Sequence, residues 1–272
     1  MIQRLRQGFS MLELVMVIVV LGIVSSIGAE IIANVYEGYI VQRAQHRASI
    51  KTEIVATQIA NRLAYAIPGT VVRKSDFLAN SGTDINMPTN PDANVLQWVG
   101  ADMDSFNVGG WSGFCDVDAS NINTISTPGS NLGLVNTIKG TPGLNLNPNP
   151  WIYFPSSIGL MSYQATLQPA TGKINLSSYT LPPNNPTATA KIVEHYKLAT
   201  SSYALLADGD LWLYYNFSPQ RNVAIGATRV RLLRNVTTFR FRGDGRTIRF
   251  KICARERIGD DNITVCKEKA VF

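Results

Sequence analysis

The sequence has few of the residues from which catalytic and metal sites are usually built. Only two of its 272 residues are histidines, His46 and His195. Their spacing fits neither a zinc site nor a catalytic triad. We therefore predict no enzyme activity, no cofactor and no metal.

Two pairs of aspartates are the remaining candidates for a metal site. They are Asp102 with Asp104 and Asp116 with Asp118, and carboxylate oxygens of this kind are ligands that calcium accepts. Neither pair has the spacing of an EF-hand loop. Solvated loop acids are the favoured interpretation, with calcium binding as the alternative.

Charged residues are absent from one long stretch near the N-terminus. Residues 14–29 carry none, and the apolar run continues to Ala33. About 20 apolar residues at ~1.5 Å each span a hydrocarbon core roughly 30 Å thick. We predict a membrane segment, with the N-terminus in the cytoplasm because Arg4 and Arg6 precede the run.

A conventional cleaved secretory signal is the alternative interpretation of this segment. Such a signal has a basic start, a short apolar core and a cleavage site of small residues after the core. Here the apolar run is too long, and Glu30 to Asn34 make a poor cleavage site. A membrane anchor is favoured, so the rest of the chain lies outside the cytoplasm, where disulfides persist.

One carboxylate, Glu13, interrupts the start of the apolar run. An ionised carboxylate inside a membrane costs on the order of 3 kcal/mol. Taken alone, Glu13 is interpreted as a boundary residue that reaches the lipid headgroups.

The residues around Glu13 carry a recognisable pattern. Gly-Phe-Ser-Met-Leu-Glu occupies residues 8–13, after a short basic leader and before the unbroken apolar run. This pattern resembles the class III signal of type IV prepilins and type II secretion pseudopilins. The resemblance implies that a prepilin peptidase cuts between Gly8 and Phe9 on the cytoplasmic side and methylates the new amine of Phe9.

The resemblance also implies a role for Glu13, which matches the glutamate of that family. Its implied partner is the terminal amine of a neighbouring subunit. Physical chemistry makes the role reasonable, because a carboxylate in a low-dielectric filament core is tolerable only when a cation pairs with it.

The helix is predicted to continue beyond the membrane. Between residues 30 and 67 there is no proline, and Gly38 is the only strong helix opponent. Pro68 and Gly69 then end the helix. Apolar residues at spacings of mostly four predict an amphipathic half; they are Ile50, Ile54, Val55, Ile59, Leu63 and Ile67.

The rest of the chain is predicted to be rich in β-strands and loops. Residues 68 to about 190 contain strands and long loops, the most loop-like at 80–91 and 181–187. The C-terminal third begins with a hairpin around Asp208-Gly209-Asp210. One continuous strand from Val230 to Arg242 follows.

In the predicted strand from Thr247 to Arg257, apolar residues alternate with mostly cationic ones, so that one side faces the core and the other faces solvent.

The predicted fold is α+β, with a long N-terminal helix packed on an antiparallel sheet and loop-rich insertions. Its parts are a leader at 1–8, a membrane and filament-core helix at 9–33, an amphipathic continuation at 34–67 and a β-rich periplasmic domain at 68–272.

A looser resemblance covers residues 203–257. The Asp-Gly-Asp-Leu-Trp hairpin and the strand Arg-Leu-Leu-Arg-Asn-Val-Thr-Thr-Phe-Arg-Phe are similar to those of large minor subunits. The nearest groups are the J-type minor pseudopilin of type II secretion and the O-type minor pilin of mannose-sensitive haemagglutinin pili.

These resemblances imply a minor pilin or pseudopilin that helps to initiate or cap filament assembly. Its implied partners are other major and minor subunits, prepilin peptidase, the inner-membrane assembly platform and, before assembly, membrane lipid. It would cross the bacterial inner membrane once and later lie at a filament tip. The alternative is a signal-anchored periplasmic enzyme or binding domain, which leaves Gly8 and Glu13 unexplained.

Three cysteines are present. A two-residue turn at Gly259-Asp260 would place Cys253 opposite Cys266 on adjacent strands, and we predict a disulfide there. Two free thiols are the alternative. Cys115 is then unpaired, or it replaces one partner.

The positive charge is concentrated at the C-terminus. Residues 229–272 hold twelve Lys or Arg and five Asp or Glu, a net of +7, so the rest of the chain sums to −1. An ordinary soluble surface, contact with acidic neighbouring subunits and nucleic-acid binding all remain open. Nucleic acid is the least favoured, because exposed aromatic residues do not alternate with the basic ones.

Overall fold

The computed structural model describes residues 10–75, 77, 82–87, 93–141, 149–156, 159–180, 192–259 and 261–272. Gly8, Phe9 and the loop-like stretch at 181–187 lie outside the described residues. The helices are α1 (Met11–Leu63), α2 (Met103–Asn107) and α3 (Leu132–Lys139).

The strands of the described residues form three antiparallel sheets. The first sheet has the order β12-β11-β10-β3-β1-β2, the second β13-β14-β15 and the third β4-β5-β8-β7-β6-β9. The strands are β1 (Val72–Lys74), β2 (Thr83–Asp84), β3 (Val95–Gly100), β4 (Asp116–Asn121), β5 (Thr124–Ser126), β6 (Trp151–Ser156), β7 (Gly159–Gln168), β8 (Lys173–Thr180), β9 (Lys197–Ala199), β10 (Ser201–Asp208), β11 (Asp210–Phe217), β12 (Arg229–Leu233), β13 (Val236–Asp244), β14 (Thr247–Ile258) and β15 (Asp261–Val271).

The long helix α1 ends earlier than predicted. Its 53 residues correspond to about 80 Å. The helix ends at Leu63 because the following backbone pairs with β3. Ala66 forms a bridge with Gly100, and the amide of Ile67 donates to the carbonyl of Val99 at 2.9 Å.

The buried stripe of α1 also differs from the prediction. Ile50 and Ile54, predicted to face the core, are 46% and 53% exposed. Each residue advances about 100° around a helix axis, so these two positions lie well away from the stripe that packs. That stripe consists of Ala48, Thr52, Val55, Ala56, Ile59 and Leu63.

The helix and the first two sheets share one apolar core. Val55 and Ile59 of α1 are buried there with Trp98 of the first sheet and with Phe250 and Ile252 of the second. Burial of each such side chain contributes roughly 1.5–3 kcal/mol. The α+β prediction, with the helix packed on antiparallel sheets, is confirmed.

The predicted strand from Val230 to Arg242 is wrong in one respect, because the structure divides it between two sheets. β12 is the edge strand of the first sheet, whereas β13 belongs to the second. Between them Asn235 adopts a φ of 54°, a left-handed conformation that asparagine tolerates better than most residues. The amide of Asn235 donates to Asp210 Oδ1 at 2.9 Å, which fixes the change of sheet.

The hairpin predicted at residues 208–210 is confirmed. Asp208 and Asp210 face each other across β10 and β11, and Gly209 between them has a φ of 67°. The middle of the chain, for which the sequence indicated only strands and loops, forms the third sheet with a core of its own around Ile152, Phe154 and Ile174.

Candidate functional site

The first two-thirds of α1 is not covered by the rest of the protein. None of residues 11–47 is buried, and Ala48 is the first that is. Within the described residues this one helix is long and apolar enough to cross a membrane, and it lies near the N-terminus. An α-helix bonds its interior backbone groups within the segment, as a lipid environment requires. The helix is consistent with a single-pass membrane anchor.

The start of α1 is capped by Ser10. The Ser10 hydroxyl accepts from the amide of Glu13 at 3.2 Å, and the Ser10 carbonyl accepts from the amide of Leu14 at 3.2 Å. The spacing Ser-x-x-Glu is that of a capping box. Sequence reasoning overlooked Ser10, although this spacing was the signal that could have identified it.

The cap determines the position of Glu13. This residue occupies the first turn of α1, where the positive end of the helix dipole favours a carboxylate by typically 0.3–1 kcal/mol. Glu13 is exposed and forms no ion pair with any described residue. The geometry therefore presents an unpaired carboxylate at the start of an uncovered apolar helix, where a cation from another molecule can reach it.

The three cysteines have different surroundings. Cys253 and Cys266 lie directly opposite each other on β14 and β15 and form a disulfide. Cys115 is a buried free thiol that lies 3.5 Å from the Ser120 hydroxyl. Burial raises the pKa of the Cys115 thiol, so it is a poor nucleophile.

The candidate metal ligands are not brought together. The described residues contain no cluster of three His, Cys, Asp or Glu side chains that could hold a metal. Asp102 instead caps α2, accepting from the amide and hydroxyl of Ser105 at 3.1 and 2.7 Å. Burial raises the pKa of Asp102. Asp116 likewise accepts from the amide of Ala119 at 3.2 Å.

The two histidines also lie apart from each other. His46 is on the exposed part of α1, and His195 is exposed beside the ring of Phe114. Neither contacts a cysteine or a carboxylate among the described contacts. Among the described residues, neither histidine therefore lies beside a side chain with which it could form a catalytic pair.

The basic C-terminal region has two sides. On the side of the second sheet that faces α1, Lys267 and Lys269 lie 3.6 and 2.6 Å from the carboxylate of Glu53. On the opposite side, Arg and Lys side chains of β13 and β14 point into solvent. The cations on the side that faces α1 are therefore paired with a carboxylate of that helix, whereas those on the opposite side point away from it.

Comparison with known proteins gives one match. Residues 3–29 match the family described as the prokaryotic N-terminal methylation motif. No curated protein and no solved structure matches the chain.

The match coincides with the geometry described above. It covers the capped start of α1, including Ser10 and Glu13, and most of the uncovered apolar segment. The chain is therefore an α+β protein whose first helix begins with the methylation motif and is long and apolar enough to serve as a membrane anchor. The motif supports a place for the chain in the type IV pilin and pseudopilin family, as a structural subunit.

Proposed function

We propose that this protein is a minor pilin or minor pseudopilin that helps to initiate or cap assembly of a type IV pilus or a type II secretion pseudopilus. Residues 1–8 are the cleaved leader, 9–33 the membrane and filament-core segment, 34–67 the amphipathic continuation and 68–272 the periplasmic domain. The methylation motif over residues 3–29 is the observation that carries the proposal.

The start of α1 supports an assembly role. In the proposed mechanism, prepilin peptidase cuts after Gly8 and methylates Phe9. Glu13 then pairs with the terminal amine of a neighbouring subunit as the helix leaves the lipid. An unpaired carboxylate in an apolar filament core costs several kcal/mol, whereas a paired one is tolerated. The charge pair therefore selects the axial register of the incoming subunit.

The size of the globular part supports a minor rather than a major subunit. Beyond α1 the chain continues for about 200 residues and builds three sheets. A domain of this size crowds a tightly packed helical filament, whereas it fits at an end that carries no further subunits. We therefore place the protein at the tip.

Affinity purification from detergent-solubilised membranes tests the proposal. The full chain with a C-terminal tag should recover other pilin-like subunits or a component of the inner-membrane assembly platform. The Glu13→Ala variant should recover less of them while it remains in the membrane fraction. Recovery of neither kind of protein by the unaltered chain would argue against a filament role.

A further inference from the structure

The outward side of the second sheet carries a dense group of cations that the proposed function does not use. We call it the cationic face and define it by Arg240 and Arg242 of β13 and by Arg249, Lys251 and Arg255 of β14. All five are exposed. Two acids lie on the same side of the described strands: Glu268 of β15, opposite Lys251, and Asp244 near the end of β13, opposite Thr247.

The register of the strands places like charges directly opposite each other. Arg240 faces Lys251, and Arg242 faces Arg249. Like charges at directly opposed positions destabilise an antiparallel pair. Arg242, Arg249 and Lys251 form no ion pair with any described residue. The direct opposition of Arg242 and Arg249 therefore costs stability, whereas Lys267 and Lys269 on the inner side are matched by Glu53.

Protection of a sheet edge does not explain the arrangement. Charged residues often prevent edge strands from pairing with other chains. However, Arg249 and Lys251 lie on β14, the central strand, where β13 and β15 pair with both of its edges. The disulfide between Cys253 and Cys266 holds β14 and β15 in register next to these cations.

We propose that the cationic face is a docking surface for an acidic surface on a different pilin-like subunit of the same assembly. The inference rests on the proposed function, because α1 carries the second sheet and its membrane part packs with the helices of other subunits. Anchoring in one membrane raises the effective concentration of such partners, so a modest electrostatic contact suffices.

The charge of the face and the residue types on it favour an acidic subunit over two other binding partners. In a symmetric contact a second copy of the chain would bring a like-charged face to this one, and residues 1–228 of that copy carry a net charge of only −1. Single-stranded nucleic acid binds where aromatic side chains stack on bases between the cations. The outward positions of the second sheet, read from the strand register, include no aromatic residue.

Crosslinking in cells tests the location of the contact. A photoreactive benzoylphenylalanine replaces Thr264, an exposed neighbour of Arg255 across β14 and β15, which leaves every cation in place. The control position is Ile122, which is exposed in the turn between β4 and β5 of the third sheet. We expect Thr264, and not Ile122, to crosslink to an Asp- or Glu-rich peptide of another pilin-like subunit. Adducts to the chain itself, to nucleic acid or to lipid, or no adduct, would overturn the proposal.

Charge removal then separates binding from a structural role. The triple variant Arg242→Gln, Arg249→Gln, Lys251→Gln should bind the crosslinked subunit, purified in the same detergent, at least about tenfold more weakly at 50 mM salt. Its resistance to urea should be unchanged or higher, since like-charge repulsion is relieved. A structural role predicts lower resistance, and that result would contradict the proposal.

A matched variant controls for net charge. Lys173→Gln, Arg229→Gln, Arg231→Gln removes three exposed cations of the first and third sheets and should bind normally. Equal weakening by both triple variants would overturn the assignment of the face. If the chain is processed and recovered with other subunits while the face proves inert, this inference fails and the proposed function stands.

Discussion

Glu53 of α1 accepts from Nζ of Lys269 on β15 at 2.6 Å, and this contact ties the long helix to the last strand of the chain. Lys267 lies 3.6 Å from the same carboxylate, and Lys269 also donates to the Thr57 hydroxyl at 3.1 Å. The hydrogen bond from Lys269 lowers the pKa of Glu53. We therefore expect the contact to give helix docking a small pH dependence, because solvent screens an exposed ion pair.

The direction of that sensitivity follows from the lowered pKa. A carboxyl group with a depressed folded-state pKa contributes stability above its unfolded value and loses it as the pH falls through the folded value. We expect Glu53→Gln to reduce the loss of stability between about pH 6 and about pH 3. Urea unfolding of the full chain in detergent at several pH values, followed by tryptophan fluorescence, measures this change of stability with pH.

The control for this prediction is Glu37→Gln, which alters an exposed glutamate of α1 without an ion pair among the described residues. It should retain the pH dependence of the unaltered chain. Identical pH profiles for Glu53→Gln and the unaltered chain would show that the contact with Lys269 contributes no pH-dependent stability.

Two isoleucines of α1 separate the packed side of the helix from the exposed side. Ile59 is 1% exposed in the shared core, whereas Ile54 is 53% exposed. Ile59→Ala should lower the free energy of unfolding by roughly 2–5 kcal/mol because it leaves a cavity. Ile54→Ala should change it by less than about 0.5 kcal/mol. Urea midpoints of both variants check this, and equal effects would contradict the observed stripe.

The disulfide is expected to stabilise the second sheet. Cys253 and Cys266 are 13 residues apart, and closing a loop of that size contributes about 3 kcal/mol in the chain-entropy account. Reductant should therefore lower the urea midpoint of the unaltered protein. It should do the same in Cys115→Ala, because Cys115 takes no part in the bond. A Cys253→Ala, Cys266→Ala variant that still responds to reductant would contradict this.

Local rules accounted for much of the fold. A run without charge identified the uncovered segment of α1, and Asp208-Gly209-Asp210 predicted a hairpin that the structure contains. Such features depend on a few adjacent residues, whose conformational preferences or hydropathy act without help from the rest of the chain.

Features that depend on distant partners were missed. The side of α1 that packs is selected by the sheets that cover it, so the spacing of Ile50 and Ile54 was misleading. The change of sheet at Asn235 depends on Asp210, which is 25 residues away. The third sheet pairs strands separated by loops, and short apolar segments alone do not specify such pairings.

Glu13 provides a direct test of the assembly step. Glu13→Ala should abolish or strongly reduce incorporation into sheared filaments or into complexes with other subunits, because the terminal amine loses its partner. The resistance of the globular domain to urea should be unchanged, since Glu13 contacts none of it. Glu13→Asp, which keeps the charge on a shorter side chain, should retain part of the activity. Normal incorporation of Glu13→Ala would contradict the charge-pair role.

The intact mass of the mature protein, purified from membranes of cells with an active prepilin peptidase, tests the central claim most directly. The account predicts a chain that begins at Phe9, has lost residues 1–8 and carries one added methyl group at its terminal amine. A Gly8→Val variant should keep its leader under the same conditions. An unprocessed, unmethylated chain from the unaltered gene would contradict the account.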